Sequence, residues 1–228
     1  MARKDNAHRR CSRCRMHHSL CFCALLPKLD TQTRLVLIMH RRELRKSTNT
    51  GRLAALCLSN SEVHLRGDRD DAATPFCAPT ERRLLWLFPH AGAVPLHELE
   101  ASPLPTCLIV PDGNWRQAAR MRARVPGMQK SLCVTLPQGA PSRYTLRTEA
   151  HAGHLSTLEA IARALGILEG ADIQAALERV FNVMIGRTLW SRGLCDRDRV
   201  VGGIPLLAQR HDPDSGVQRL ACLPRNPR

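Results

Sequence analysis

Residues 112–115 place a carboxylate, a glycine, an amide and an indole side by side, directly after an apolar run at 108–110. The run is typical of a buried strand, and ligands of open α/β sheets bind at the carboxyl ends of strands. Asp112 offers a base or a charge partner, and Trp115 offers a flat apolar face for an adenine or an RNA base. Gly113 has no Cβ, so a ligand or another backbone can come close. The sequence therefore predicts a reaction site here; a capped helix with a core tryptophan is the alternative.

A second group of residues suggests metal binding. Four cysteines share the spacing C-x2-C-x6-C-x-C: Cys11, Cys14, Cys21 and Cys23. Four thiolates can complete a tetrahedral zinc site, and so short a segment cannot bury enough surface to fold without one. A structural zinc knuckle is predicted, with unmetallated thiols as the alternative and His17 and His18 as spare candidate ligands. The other cysteines in apolar runs are expected to be core thiols: Cys57, Cys77, Cys107 and Cys133.

Two further polar features can hold an anion, and a third is typical of a helix cap. Arg143 and Arg147 can grip a carboxylate or a phosphate as forks, or pair with a nearby glutamate. The turn at 49–51 precedes an apolar-periodic helix, and the exposed N–H groups of that helix can take a carboxylate or a phosphate. Ser156 and Glu159 have the spacing of a capping box, which accounts for Glu159 without any catalytic role.

The charge of the chain favours a polyanionic partner. The formal net charge is +14, and residues 1–60 contain 13 Lys/Arg against 3 Asp/Glu. A basic amino-terminal part suggests nucleic acid, with a generally basic protein from an arginine-rich genome as the alternative. The basic loop at 41–46 follows a predicted strand, where substrates dock. No apolar stretch reaches membrane-helix length and no secretory signal is apparent, so a reducing cytoplasm is expected.

Strands alternate with helices along the chain, which predicts an α/β fold with a largely parallel sheet. Strands are predicted at 34–40, 62–65, 83–89, 107–110 and 131–137, and helices after 47–51 and at 116–124, 154–168 and 171–190. Residues 91–105 are expected to be a linker with one short helix. We divide the chain into a basic arm and zinc knuckle (1–30), an α/β catalytic domain (31–192) and a basic, loosely ordered tail (193–228).

Taken together, these motifs resemble the DTW-domain family, the bacterial tRNA-uridine aminocarboxypropyltransferases, over residues 11–190. The resemblance rests on the order and spacing of five segments: the four-cysteine knuckle, 49–51, 112–115, 142–147 and 155–160. The family signature is Asp-x-Thr-Trp, and here Asn114 replaces the threonine. Asparagine also caps helices, so the turn should be preserved.

The resemblance implies a SPOUT-like α/β fold with a C-terminal trefoil knot. It implies transfer of the 3-amino-3-carboxypropyl group of S-adenosylmethionine to N3 of a uridine in the tRNA variable loop, with methylthioadenosine as by-product. Asp112 would be the catalytic carboxylate and Trp115 part of the reaction pocket. The residues expected at S-adenosylmethionine are Asn49, Thr50, Val110, Leu136, Arg143, Tyr144, Leu155, Ser156 and Thr157. The arm, the knuckle and the loop at 41–46 would grip the tRNA backbone.

Two other functions remain open at this point. A SPOUT-like RNA methyltransferase, or an enzyme that transfers the same group to rRNA, would need nearly the same residues. A non-catalytic zinc-containing RNA-binding protein would need the basic amino-terminal part, but not the pocket at Asp112 and Trp115. The sequence does not decide between tRNA species or between oligomeric states.

Overall fold

A computed structural model describes residues 7–44, 46, 48–67, 79–146 and 155–211. Its strands are β1 (Arg34–His40), β2 (Ser61–Arg66), β3 (Arg83–Leu87), β4 (Val94–Pro95), β5 (Thr106–Asp112) and β6 (Leu132–Thr135). They form one sheet in the order β2-β1-β5-β3-β6-β4, and each neighbouring pair is parallel. The predicted α/β fold with a parallel sheet is confirmed.

The helices begin near the positions that the capping residues predict. They are α1 (Arg41–Leu44), α2 (Thr50–Cys57), α3 (Trp115–Arg124), α4 (Thr157–Leu168) and α5 (Ala171–Trp190). The bounds of α5 agree with the prediction, whereas α4 begins at Thr157 because Ser156 caps it. Within the described residues, none of the helices is both long and apolar enough for a membrane crossing.

Side chains of β1 alternate between the two faces of the sheet, as the period of a strand requires. Leu35, Leu37 and Met39 join the larger core, which α2, α4, α5 and the cysteine knuckle complete. Val36 and Ile38 point to the opposite face, where residues of α3 cover them. The central strands β1 and β5 are therefore buried on both faces, and β5 delivers Asp112 to the carboxyl edge from the interior of the sheet.

Two predicted loops contain regular structure. The basic loop at 41–46 begins with the single turn α1, whose Glu43 is buried and pairs with Lys46. The expected linker at 91–105 contains β4 and a 3-10 helix, Leu96–Glu98. Two residues are too few to show the alternation of apolar and polar side chains that predicts a strand. Proline is tolerated in β4 because β4 is an edge strand.

One buried arginine connects both ends of the described chain. Arg187 on α5 is only 4% exposed. Its guanidinium donates to the carbonyl oxygens of Leu20 and Cys21 in the knuckle, at 3.2 and 2.7 Å. It also donates to the carbonyl oxygens of Gly202 and Gly203, at 3.1 and 3.0 Å. The knuckle is therefore packed on the helical layer.

The predicted loosely ordered tail differs from the structure over residues 193–211. This segment contains two 3-10 helices, Arg197–Arg199 and Leu206–His211, and it buries Val200 and Ala208 in the larger core. Its Pro/Gly/Arg-rich composition misled the prediction, because the glycines supply turns that Arg187 then binds. The remainder of that segment, 212–228, and residues 1–6 of the predicted arm lie outside the described residues.

Candidate active site

Asp112 is the last residue of β5 and is only 4% exposed. Asn49 Nδ2 donates to Oδ2 at 2.6 Å, and Thr157 Oγ1 donates to Oδ1 at 2.6 Å. A buried carboxylate needs such donors, since an unpaired charge in the interior is very costly. Three segments that are far apart in the sequence therefore meet at one side chain.

The same carboxylate lies at the amino-terminal ends of two helices. Thr50 begins α2 and Thr157 begins α4, and the positive ends of both helix dipoles stabilise a nearby negative charge. Asn49 also caps α2, because its Oδ1 accepts from the Arg52 N–H at 2.8 Å. One amide side chain thus fixes the start of α2 and orients Asp112.

A cleft of about 470 Å³ opens at the carboxyl ends of β3, β5 and β6. Its walls are mainly apolar and come from Phe88, the start of α3, the loop 136–141 and one face of α4. This is the edge of the sheet at which open α/β folds bind ligands. The cleft lies next to Asp112, and Thr157 belongs to both.

Eight of the residues expected from sequence form two groups in the structure. Those that line the cleft are Trp115, Val110, Leu136, Leu155 and Thr157. Asp112, Asn49 and Thr50 are buried beside it, and Thr50 Oγ1 accepts from the Leu158 N–H at 3.4 Å. Asn49 and Thr50 therefore connect α2 to Asp112 and α4 instead of lining the cleft.

Trp115 presents its indole at the rim of the cleft. It is 42% exposed, and its ring lies 5.2 Å from the ring of Phe88 at an angle of 53°. It begins α3, which Asn114 caps as expected. Asn114 Oδ1 accepts from the Gln117 N–H, and Gln117 Oε1 accepts from the Asn114 N–H, both at 2.9 Å. The alternative of a core tryptophan is excluded.

Glu159 holds the loop that carries the predicted arginine and tyrosine. Its carboxylate accepts from Ser142 Oγ and the Arg143 N–H at 2.7 Å, and from the Ser156 N–H at 2.8 Å. The capping box is confirmed, but the same side chain also positions residues 142–144. Ser156 therefore serves as the helix cap, outside the lining of the cleft.

Tyr144 lies away from the main cleft. Its hydroxyl donates to the Thr48 carbonyl oxygen at 2.8 Å, and its ring lies 5.7 Å from the ring of Phe181. Arg143 instead lines a second cleft of about 390 Å³, between the loop 136–140 and helices α4 and α5. Arg147 lies outside the described residues.

Sequence reasoning missed Arg163, which lines both clefts. It lies on the same face of α4 as Thr157 and Ala160, and it donates to the Ala140 carbonyl oxygen at 2.5 Å. A single arginine within an amphipathic helix gives no signal of a site, since a solvated side chain is the usual reason for it. Its place in the site becomes apparent only in the folded chain, where the loop 136–140 lies beside α4.

The arginines of α3 form a second feature that the sequence did not single out. Arg116, Arg120 and Arg124 are exposed and follow one another at i, i+4 and i+8, while the helix contains no acidic residue. Side chains at that spacing share one face of a helix. Arg122 differs, because it donates to the Ser131 carbonyl oxygen at 2.7 Å. We call Arg116, Arg120 and Arg124 the α3 basic stripe; it starts beside Trp115.

The four knuckle cysteines come together as predicted. Their sulfurs all lie within 4.8 Å of one another, with Cys11 to Cys23 at 3.5 Å and Cys14 to Cys21 at 3.7 Å. Sulfurs around one tetrahedral metal at the usual bond length are roughly 3.8 Å apart. His17 is not in this cluster; its Nδ1 lies 2.9 Å from Ser19 Oγ. The donor set therefore fits one tetrahedral metal ion.

The knuckle thiols differ in the direction of their pKa shifts: burial raises the pKa of Cys14 and Cys23, whereas the pKa of Cys11 is lowered. Burial raises the pKa of Cys11, but backbone N–H groups of Cys14 and Arg13 donate to its sulfur and lower the pKa to about 6. In contrast, burial raises the pKa of the core thiol of Cys57 to about 12. Cys57 therefore remains a thiol, and it lies outside the four-cysteine cluster.

Two animal proteins that resemble this chain carry the same name. The chain is 29% identical over 172 residues to tRNA-uridine aminocarboxypropyltransferase 2 of Drosophila melanogaster, a match that covers 72% of this chain and 68% of that protein. It is 32% identical over 169 residues to the protein of the same name from Macaca fascicularis, covering 70% of this chain but only 56% of that protein.

A plant relative matches over a longer range. The chain is 27% identical over 217 residues to tRNA-uridine aminocarboxypropyltransferase A of Arabidopsis thaliana, covering 80% of this chain and 82% of that protein. No solved structure matches the chain. The family model of the DTW domain matches residues 8–189, which include the knuckle, Asp112, Trp115 and α4. The chain therefore belongs to the DTW-domain family.

Proposed function

We propose that the protein transfers the 3-amino-3-carboxypropyl group of S-adenosylmethionine to N3 of a uridine in the tRNA variable loop, leaving methylthioadenosine. The observation that carries this proposal is the carboxylate of Asp112, held beside an apolar cleft whose rim presents Trp115. Relatives of this chain are named tRNA-uridine aminocarboxypropyltransferases, which supports the same activity here.

The cleft suits the donor in size and polarity. Ligand pockets commonly have volumes of about 300–1,000 Å³ and mainly apolar walls, and this cleft has about 470 Å³. Apolar side chains such as Val110, Leu136 and Leu155 would contact the adenosine part. The cationic sulfur would lie toward the carboxylate of Asp112, which is the negative side of the cleft.

We propose that Asp112 acts through Thr157. The Thr157 hydroxyl donates to Asp112, and a hydroxyl oxygen has further lone pairs that can face the cleft. As uridine N3 attacks the donor Cγ, the N3 proton would pass to Thr157 Oγ1, and the proton of Thr157 would pass to Asp112 Oδ1. The C–S bond breaks and its electron pair stays on sulfur, so the cationic donor leaves as a neutral thioether.

The target uridine must leave any base pair, because pairing covers its N3 edge. Trp115 would then stack on the extruded base at the rim of the cleft. The α3 basic stripe starts at the same place and would follow the RNA backbone. Trp115 and the α3 basic stripe would therefore form a second RNA-binding surface, in addition to the basic amino-terminal part.

We propose that the knuckle binds one structural zinc ion through Cys11, Cys14, Cys21 and Cys23. The sulfur spacing and the closed set of four cysteines support zinc, which would stabilise the fold of this short segment. Arg52 of α2 donates to the Arg13 carbonyl oxygen, and Arg187 holds the other side of the knuckle. Both cations would offset the negative charge of four thiolates on one Zn²⁺.

We also propose a SPOUT-like C-terminal knot, as the family resemblance implies. The observation that supports it is that α4 follows β6 in the sequence but packs against α2 and β5, nearer the centre of the sheet than β6. Residues 147–154, between β6 and α4, lie outside the described residues. An experimental structure that traces residues 136–157 tests the proposal, and a crossing that passes outside the preceding loops would contradict it.

The decisive experiment is incubation of the protein with unmodified tRNA and S-adenosylmethionine that carries one label on the carboxypropyl chain and another on the methyl group. The proposal expects only the carboxypropyl label in the RNA, at a uridine, with an equal amount of methylthioadenosine. Label transfer from the methyl group would instead identify a methyltransferase. Substitution of rRNA for tRNA in a parallel reaction tests the alternative substrate.

A further inference from the structure

Arg163 lies where the two clefts meet. The loop 136–140 lines both clefts, and Arg163 is the basic side chain that they share. One of its Nη atoms donates to the Ala140 carbonyl oxygen at 2.5 Å, which fixes the guanidinium against the loop. A guanidinium has five N–H groups, so others remain to bind a planar anion in the cleft.

The acidic side chains near Arg163 bind other donors. Glu159 accepts from Ser142 and from two backbone N–H groups, and Glu178 accepts from Gln174 Nε2 at 2.7 Å. The ion pairs formed among the described residues do not include Arg163. Its positive charge is therefore available to a ligand.

The charges of the cleft are arranged along α4. Thr157, Ala160 and Arg163 line the cleft at i, i+3 and i+6, a row that spans roughly 9 Å of the helix axis. The first residue of the row contacts the carboxylate of Asp112, and the last carries a cation. A ligand with a positive centre and a terminal carboxylate would align with this row in one direction only.

From this arrangement we propose that Arg163 binds the carboxylate of the donor's amino-acid arm. The inference rests on the proposed function, in which S-adenosylmethionine is the donor. Arg163 is then a positioning residue: it holds the arm extended along α4 while the sulfonium lies toward Asp112. The sulfonium activates three carbons, and an anchored arm determines that Cγ, not the methyl carbon, faces the base.

Calorimetry with three ligands tests this assignment. S-adenosylmethionine carries the carboxylate, decarboxylated S-adenosylmethionine lacks only that group, and methylthioadenosine lacks the whole arm. Arg163→Met should weaken binding of the first ligand at least tenfold and leave the other two within twofold, which also shows that the variant is folded. Arg163→Lys should recover part of the lost affinity, because it keeps the charge but not the fork.

Matched variants separate Arg163 from other cations. Arg179→Met removes an exposed arginine of α5 and should leave all three affinities unchanged. Arg143→Met tests the arginine that the sequence suggested; a loss of S-adenosylmethionine affinity there and not in Arg163→Met would overturn the inference. An equal loss for all three ligands in Arg163→Met would overturn it too, because the residue would then only support the cleft.

Two further outcomes distinguish a failure of the proposed function from a failure of the inference on Arg163. If wild-type protein binds neither S-adenosylmethionine nor methylthioadenosine, the proposed function fails, and this inference fails with it. If wild-type protein binds both, and Arg163→Met loses affinity for tRNA but not for S-adenosylmethionine, Arg163 contacts an RNA phosphate. That result overturns the inference and leaves the proposed function intact.

Discussion

Gly51 lies so close to Asp112 that no other residue fits at this position without movement. A Cβ on Gly51 would be 2.9 Å from Asp112 Oδ2 and 3.1 Å from Thr157 Cγ2. Gly51→Ala should therefore displace the carboxylate and destabilise the protein by about 1–3 kcal/mol, the usual cost of overpacking a tight site. Transfer activity should fall at least tenfold, and both effects are measured by thermal unfolding and single-turnover assays.

A control for this variant is Gly170→Ala, in which the added Cβ has nothing within 4 Å. Because Gly170 has φ +116°, that variant should lose stability through backbone strain but keep its activity. Full activity and stability in Gly51→Ala would show that the carboxylate does not depend on this close approach.

Thr157 should be required for transfer through its hydroxyl. Thr157→Val keeps the shape of the side chain but removes the donor to Asp112 Oδ1, leaving a buried oxygen without that bond. We expect at least a hundredfold lower single-turnover rate, with little change in affinity for the donor. Thr157→Ser keeps the hydroxyl and should stay within tenfold of wild type. Equal rates for the Val and Ser variants would exclude the proton path through Thr157.

The α3 basic stripe should contribute to RNA affinity through charge alone. Three variants test this stripe one at a time: Arg116→Gln, Arg120→Gln and Arg124→Gln. Each should weaken tRNA binding. Each should also make the negative slope of log K against log salt concentration less steep by roughly one. Fluorescence anisotropy over a salt series measures both quantities. Arg179→Gln has the same change of charge on α5 and should leave the slope unchanged. If a stripe variant leaves the slope unchanged, as this control should, the arginine it replaces does not belong to the proposed RNA-binding surface.

Trp115 should bind RNA by stacking. Trp115→Ala should weaken tRNA binding by about 1–3 kcal/mol, the usual value of one base on an aromatic ring. Trp115→Phe keeps a ring and should recover most of that loss, while the fold of both variants should be preserved because the indole is 42% exposed. Unchanged RNA affinity in Trp115→Ala, measured in the presence of the donor, would exclude the stacking role.

One zinc ion per chain is expected by elemental analysis. Cys14→Ser should abolish it and lower the melting temperature markedly, because metal binding and folding of such a segment are coupled. Cys195→Ser is the matched control: Cys195 lies outside the four-cysteine cluster, so the variant should retain zinc. A metal-free wild-type protein with an unchanged melting temperature in strong chelator would contradict the proposal.

The sequence predicted the local features of the site better than its long-range contacts. The strand before Asp112, the cap at Asn114 and the capping box at Ser156 depend on neighbours within a few residues, and the structure confirms them. The contacts of Asp112 with Asn49 and Thr157 span 63 and 45 residues. No local pattern contains that information.

Arginines were assigned least well, because charge does not reveal what a side chain contacts. Arg187 belongs to an amphipathic helix like any other, yet it is buried among four carbonyl oxygens. Arg163 lines the main cleft, whereas Arg143, which the family motif suggested, lines the second one. The partners of these side chains are backbone oxygens of distant loops, and their positions follow only from the folded chain.

The hydrogen bonds of Arg187 also limit how this protein can be engineered. A graft of the knuckle onto another protein would separate the carbonyl groups of Leu20 and Cys21 from their cation, and removal of residues 202–203 would strip the same guanidinium from the opposite side. The four-cysteine knuckle is thus not a detachable module: moving it into another protein requires transplanting the last turn of α5 and the glycine pair after it as well.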